Sequence, residues 1–123
     1  MSIARTVLVV DDSPSMRQMV SHVLVQSGYQ VVEGANGREA LAQLEAAAID
    51  LVITDLNMPV LDGIALIREI RSRPASKFTP VLMLTTEWQP AKKAEGRAAG
   101  ASGWLVKPFN PKQLLQVVAK VLQ

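Results

Sequence analysis

Short, wholly apolar runs alternate along this chain with longer stretches in which apolar residues recur every three or four positions. The runs fall at 7–10, 31–32, 51–53, 81–86 and 103–106. An apolar run bounded by turn residues has no polar face to give to water, so each predicts a strand buried on both sides of a sheet. The stretches between predict helices. Pro14 behind a Ser13 cap opens the first, with Met16, Met19, Val20, Val23 and Leu24 at helical spacing, and Gly28 ends it. Both methionines are expected to fill core, and His22 to be an ordinary helix residue. Asn36 with Glu39 resembles a capping box ahead of Ala40, Leu41, Leu44 and Ala47. Asp62-Gly63 starts a third helix, with Ile64, Ile67 and Ile70 facing inward and Arg68, Glu69 and Arg71 outward; a polar loop follows at 74–79. The weakest helix is 91–99, where only alanines are available for burial and an internal Gly96 costs about 1 kcal/mol relative to alanine, so this segment is expected to be comparatively mobile. Asn110 and Pro111 open the last helix, which carries Leu114, Leu115, Val118, Val121 and Leu122.

Strand is thus followed by helix five times, with no internal repeat and no low-complexity segment. Such alternation predicts an α/β fold: a doubly wound, five-stranded parallel sheet with five helices on its two faces and right-handed crossovers. A length of 123 residues with 49% hydrophobic content suits one domain over 1–123. No apolar run approaches the roughly 20 residues of a membrane span, and the N-terminus lacks a signal-peptide layout, so a cytoplasmic protein with no membrane partner is expected. Zero cysteines exclude disulfides and thiolate chemistry, and a single histidine argues against zinc. Net charge is only +2, but from Trp88 onward Lys92, Lys93, Arg97, Lys107, Lys112 and Lys120 face one acid, Glu95. Without interleaved aromatics or a basic block, this cationic third predicts solvated helix faces and no nucleic-acid partner.

The chemistry gathers where the strands stop. The central run ends on Asp55, before Asn57 and Pro59 break the ladder, and the first run ends on Asp11-Asp12. A lone aspartate at a strand end is commonly a helix cap; two apolar strands ending in aspartate call for more. In a parallel sheet all the carboxyl ends lie at one edge, which collects Asp11, Asp12, Asp55, Thr85 and Lys107 where open α/β sheets bind their ligands. Clustered carboxylates repel phosphate unless a hard cation such as Mg²⁺ inverts the local field. Lys107 then offers a fixed positive charge and Thr85 a hydroxyl donor, groups suited to a transferring phosphoryl group, while an aspartate can itself be the nucleophile. Asp55 is the expected reactive centre.

The motifs Val9-Val10-Asp11-Asp12-Ser13, Asp55-Leu56-Asn57-Met58-Pro59 with Asp62-Gly63, Thr85-Thr86-Glu87 and the stretch at 100–109 ending Lys107-Pro108-Phe109 occur in this order across nearly the whole chain. In that combination the sequence resembles the response-regulator receiver family, and most closely stand-alone receivers of the chemotaxis CheY type. The resemblance implies strand order 2-1-3-4-5 and phosphorylation of Asp55 by the phosphohistidine of a CheA-like histidine kinase or a phosphotransfer domain. It implies Mg²⁺ on Asp11, Asp12, Asp55 and the backbone carbonyl of Asn57, phosphoryl contacts from Thr85 and Lys107, and a cis Lys107-Pro108 bond. Asn57 and Glu87 occupy positions that tune dephosphorylation, which is expected to be relatively fast. With no effector segment after Gln123, output is expected through a partner protein such as the flagellar motor switch, bound on a surface carrying Lys92, Lys93, Trp104 and Lys112. The protein is expected to be a monomer, with dimerisation on activation open.

Two departures from the family matter. Leu56 stands where the best-known chemotaxis receivers have tryptophan, and Trp104 stands where Tyr, Phe or His is usual. The larger indole, with an N–H that needs a partner when buried, favours an outward Trp104 before phosphorylation. Within the family, a phosphorelay shuttle or a kinase-modulating receiver is the alternative to chemotaxis. Outside it, a haloacid-dehalogenase-type phosphatase needs a second acid two residues after its nucleophile, which neither Asp11-Asp12-Ser13 nor Asp55-Leu56-Asn57 provides. A flavodoxin-like cofactor binder needs hydroxyls where Asp11-Asp12 places anions. The expected protein is a signalling phospho-acceptor and not an enzyme of external substrates.

Overall fold

The computed structural model describes residues 4–123, and its five strands alternate with five helices in the predicted order. These are β1 (Thr6–Val10), α1 (Pro14–Gln26), β2 (Gln30–Gly34), α2 (Gly37–Ala46), β3 (Leu51–Thr54), α3 (Gly63–Ser72), β4 (Val81–Thr85), α4 (Pro90–Ala99), β5 (Gly103–Val106) and α5 (Pro111–Val121). The strands form one parallel sheet in the order β2-β1-β3-β4-β5, which puts β3 at its centre.

Strand alternation divides the core between the two faces. Leu8, Val10, Val52, Val81 and Met83 pack against α2 and α3, with Ala40, Leu66, Ile67 and Ile70 fully buried. Val7, Val9, Leu51, Ile53, Leu82 and Leu84 point the other way, onto Val20 and Leu24 of α1 and Leu114 and Val118 of α5. Polar side chains close the helix starts as the sequence predicts: Ser13 accepts from the Met16 N–H, Asn36 from Glu39, Asp62 from Ala65 and Asn110 from Lys112. Glu39 completes its box one residue early, accepting from the Ala35 N–H at 2.9 Å.

Two expectations change. Met19 is 55% exposed, because α1 buries a stripe along Val20 and Leu24 narrower than its apolar periodicity. Arg71 does not face outward: its guanidinium turns back to donate to the carbonyls of Lys77, Thr79 and Gly100, tying the end of α3 to the end of α4. Burial lowers its pKa from the ordinary arginine value. The segment at 91–99 forms a helix despite its alanines, and its one buried residue is Gly96. Among the described residues, no helix is long and apolar enough to cross a membrane.

The two kinds of position on α1 separate cleanly in a stability measurement. Leu24→Ala should cost about 2–5 kcal/mol in urea unfolding, whereas Met19→Ala should stay within about 0.5 kcal/mol of wild type. Equal losses at both would contradict the packing of α1.

Candidate functional site

Parallel register brings the site together. Val10 of β1 pairs with Thr54 of β3, and the Asp55 N–H donates to the Val10 carbonyl at 3.0 Å, so Asp11 and Asp55 leave neighbouring strands side by side. On the other flank Thr85 pairs with Val106, and the Lys107 N–H donates to the Thr85 carbonyl at 2.8 Å. Lys107 therefore starts one strand beyond Thr85 and reaches across β4 to the acids. Its Nζ donates to Asp11 Oδ2 at 2.7 Å and to Asp55 Oδ2 at 3.1 Å. The remaining oxygens are held locally: Asp11 Oδ1 accepts from the Ser13 N–H at 2.9 Å and Asp55 Oδ1 from the Leu56 N–H at 2.7 Å.

All three charged side chains are withdrawn from water, at 6% exposure for Asp11, 12% for Asp55 and 9% for Lys107. Burial alone pulls the Lys107 pKa down. The hydrogen bond to Asp11 and the attraction of both carboxylates outweigh it and leave the pKa above the ordinary lysine value. Asp12 stands exposed at the rim, with an oxygen within 4.8 Å of ligand atoms from Asp11 and Asp55. Three carboxylates against one ammonium leave the cluster anionic. An oxygen-only donor set of this kind fits a hard divalent ion and suits neither zinc nor copper.

Thr85 is fully buried, and its hydroxyl accepts from the Glu87 N–H at 3.3 Å. Asn57 is exposed and Glu87 half-buried on the two neighbouring loops, and the Lys107-Pro108 bond is cis, as the family resemblance implied. Lys92 and Lys112 are exposed and Lys93 half-buried, all away from the acids; Lys92 pairs with Glu95 at 3.4 Å. Trp104 departs from its expected outward orientation. The indole is half-buried against the core face that carries Met83, and its Nε1–H donates to the Glu87 carbonyl at 2.9 Å. The hydrogen-bond cost that argued against burial is thus met.

Other residues complete the site in roles that the sequence did not assign to them. Arg17 lies one helical turn beyond Ser13; it donates to the Asp11 carbonyl at 2.7 Å and to Glu33 at 2.9 Å, steadying the acidic loop. Gly63 has a steric reason: a Cβ there would collide with the Asp55 carbonyl oxygen and stand 2.9 Å from Leu56 Cα. Its N–H donates to the Leu56 carbonyl at 2.8 Å, so α3 begins directly against the carboxyl end of β3. Val60 sits at φ +75° in a three-residue turn closed by the Leu61 N–H on the Pro59 carbonyl at 2.8 Å. For a β-branched residue that conformation stores about 1–3 kcal/mol. A surface hollow of about 570 Å³ between the ends of α2 and α3 lies at the opposite edge of the sheet, and its charged lining residues are the pair Glu45 and Arg73.

The family model for the response regulator receiver domain matches residues 7–119. Chemotaxis protein CheY1 of Helicobacter pylori is 39% identical over 117 residues, covering 94% of each chain. The transcriptional regulatory protein ResD of Bacillus subtilis is 38% identical over 95% of this chain, which spans only 48% of ResD. Among solved structures, chemotaxis protein CheY4 of Vibrio cholerae superposes with a TM-score of 0.94 at 54% identity, covering 98% of this chain and all of that one. With its sheet order, its acidic edge and these relatives in agreement, the chain belongs to the response regulator receiver domain family of two-component signalling.

Proposed function

We propose that this protein is a chemotaxis receiver that accepts a phosphoryl group on Asp55 from the phosphohistidine of a histidine kinase or phosphotransfer domain. The observation that carries this is the single ammonium of Lys107 held between Asp11 and Asp55 beside the buried Thr85 hydroxyl. An Asp55 carboxylate oxygen attacks phosphorus, the bond from phosphorus to the donor imidazole breaks with its electrons leaving on nitrogen, and that nitrogen is neutralised by a proton. Lys107 follows the new anionic oxygens, and the Thr85 hydroxyl turns to donate to one of them. Asp11, Asp12, Asp55 and the Asn57 carbonyl would hold Mg²⁺, which supplies the positive charge that lets a phosphate approach carboxylates. Arg17 and Gly63 keep the two acidic loops in place while the charge changes.

Asn57 and Glu87 stand on loops two residues beyond Asp55 and Thr85, positions from which an amide and a carboxylate can orient the water that removes the phosphoryl group. Output passes through a partner protein bound on α4, β5 and α5, the surface that carries Lys92, Lys93, Trp104 and Lys112. The similarity to chemotaxis proteins along nearly their full length supports the flagellar motor switch as that partner.

Acetyl phosphate with Mg²⁺ should label wild-type protein at one residue and leave Asp55→Asn unlabelled; equal labelling of the variant, read by intact mass, would sink the assignment. Replacing Asn57 and Glu87 together by leucine should lengthen the lifetime of the phosphorylated state by about 10-fold or more, as expected for losing a group that orients the attacking water. An unchanged decay of radiolabel would remove both from that role.

A further inference from the structure

Glu87 is fastened through both of its backbone groups. Its N–H donates to the Thr85 hydroxyl, on the acceptor side, and its carbonyl accepts from the Trp104 indole at 2.9 Å. The ring that makes the second bond rests on α4. A Cβ at Gly96 would stand 2.6 Å from Trp104 Cζ3 and 3.3 Å from Cε3, closer than the ring could tolerate in place.

Nothing in the helix itself asks for glycine there. Gly96 lies inside α4, away from the left-handed conformation that Gly28 and Gly100 adopt, and alanine would be the better helix former by about 1 kcal/mol. The ring provides the reason. The N-terminus of α4 has no side-chain cap at Gln89, and Gly96, the residue under the ring, is the only one the helix buries. The far end of α4 is held separately, by Arg71 on the Gly100 carbonyl at 2.8 Å.

We propose that Gly96 is a positioning residue: it forms the notch that seats the Trp104 indole, and the seated indole fixes Glu87 so that its carboxylate sets the lifetime of phosphorylated Asp55. The inference rests on the receiver function argued above and adds its regulation. The aromatic side chain is seated before any phosphoryl group arrives, so α4, the loop at 86–89 and Trp104 respond to the acceptor as one body. When the Thr85 hydroxyl turns to the phosphoryl oxygens, the indole bond still holds the Glu87 carbonyl, and the loop that carries the Glu87 side chain stays fastened.

Trp88→Phe leaves Trp104 as the sole indole emitter, since the chain has two tryptophans. In that background Gly96→Ala should raise acrylamide access to Trp104 and shift its emission to the red without any phosphorylation. In the phosphorylated protein it should slow decay by about fivefold, the equivalent of one net hydrogen bond. Trp104→Phe keeps a ring that the notch accepts but removes the donor, and should slow decay comparably. Gly96→Ala combined with Trp104→Tyr restores room and a hydroxyl donor, and should bring decay back to within about twofold of wild type. Unchanged quencher access in Gly96→Ala, or unchanged decay in Trp104→Phe, would overturn the proposal. If Asp55 takes no label in any variant, the receiver function itself has failed, and quencher access alone then decides whether Gly96 seats the ring.

Discussion

One ammonium shared between two buried carboxylates constrains the rest of this molecule. Charges at this depth are tolerated only when paired and hydrogen-bonded, and removing one partner of such a group commonly costs about 3–5 kcal/mol. Lys107 meets the condition because β4 and β5 pair Thr85 with Val106, and Asp11 meets Asp55 because β1 and β3 pair Val10 with Thr54. A slip of one residue in either pairing would turn the strand's side chains to the other face and separate the charges. The two apolar faces of the sheet, by holding that register, also hold the site. The same arrangement explains why the acceptor edge is crowded with small or fully partnered groups. Gly63 leaves room for the Asp55 carbonyl, and Arg17 takes the Asp11 carbonyl that the loop leaves free.

Much of this was legible in the sequence because the signals act locally. Apolar runs ending in Asp11, Asp55, Thr85 and Lys107 mark both the strands and their carboxyl ends, and the caps at Ser13, Asn36, Asp62 and Asn110 mark the helix starts. What could not be read depends on contacts between distant segments. Met19 carries the right spacing for burial, yet which part of an apolar stripe meets the sheet is decided by how α1 is rotated against it. Arg71 sits at an outward position, and its burial follows from carbonyls at Thr79 and Gly100 that no periodicity reveals. At Val60, residue type argued against the left-handed turn that the chain adopts. Trp104 was judged by the volume and the N–H of its indole alone. The solution lay in Gly96, which helix propensity had marked as a weakness, and in a backbone carbonyl at Glu87.

Two kinds of fastening therefore meet at β4. On one side Lys107 bridges Asp11 and Asp55; on the other the Trp104 ring rests over Gly96 and donates to the Glu87 carbonyl. Thr85 touches both, through its strand pairing with the residue before Lys107 and through the hydroxyl that accepts from Glu87. The α4 and β5 side of the molecule is thus connected to the buried Thr85 hydroxyl through one indole and the backbone of Glu87.

Lys107 and a divalent cation are expected to serve the same carboxylates, and Mg²⁺ binding to wild type and Lys107→Met reads this out. With the ammonium removed, Asp11 and Asp55 lose their shared partner. The variant should therefore be less stable than wild type without metal by about 3–5 kcal/mol. It should also bind Mg²⁺ more tightly in a calorimetric titration and recover a larger share of its stability when the ion is added. Equal Mg²⁺ affinity in the two proteins, with equal stabilisation by the ion, would show that Lys107 and the cation do not share Asp11 and Asp55.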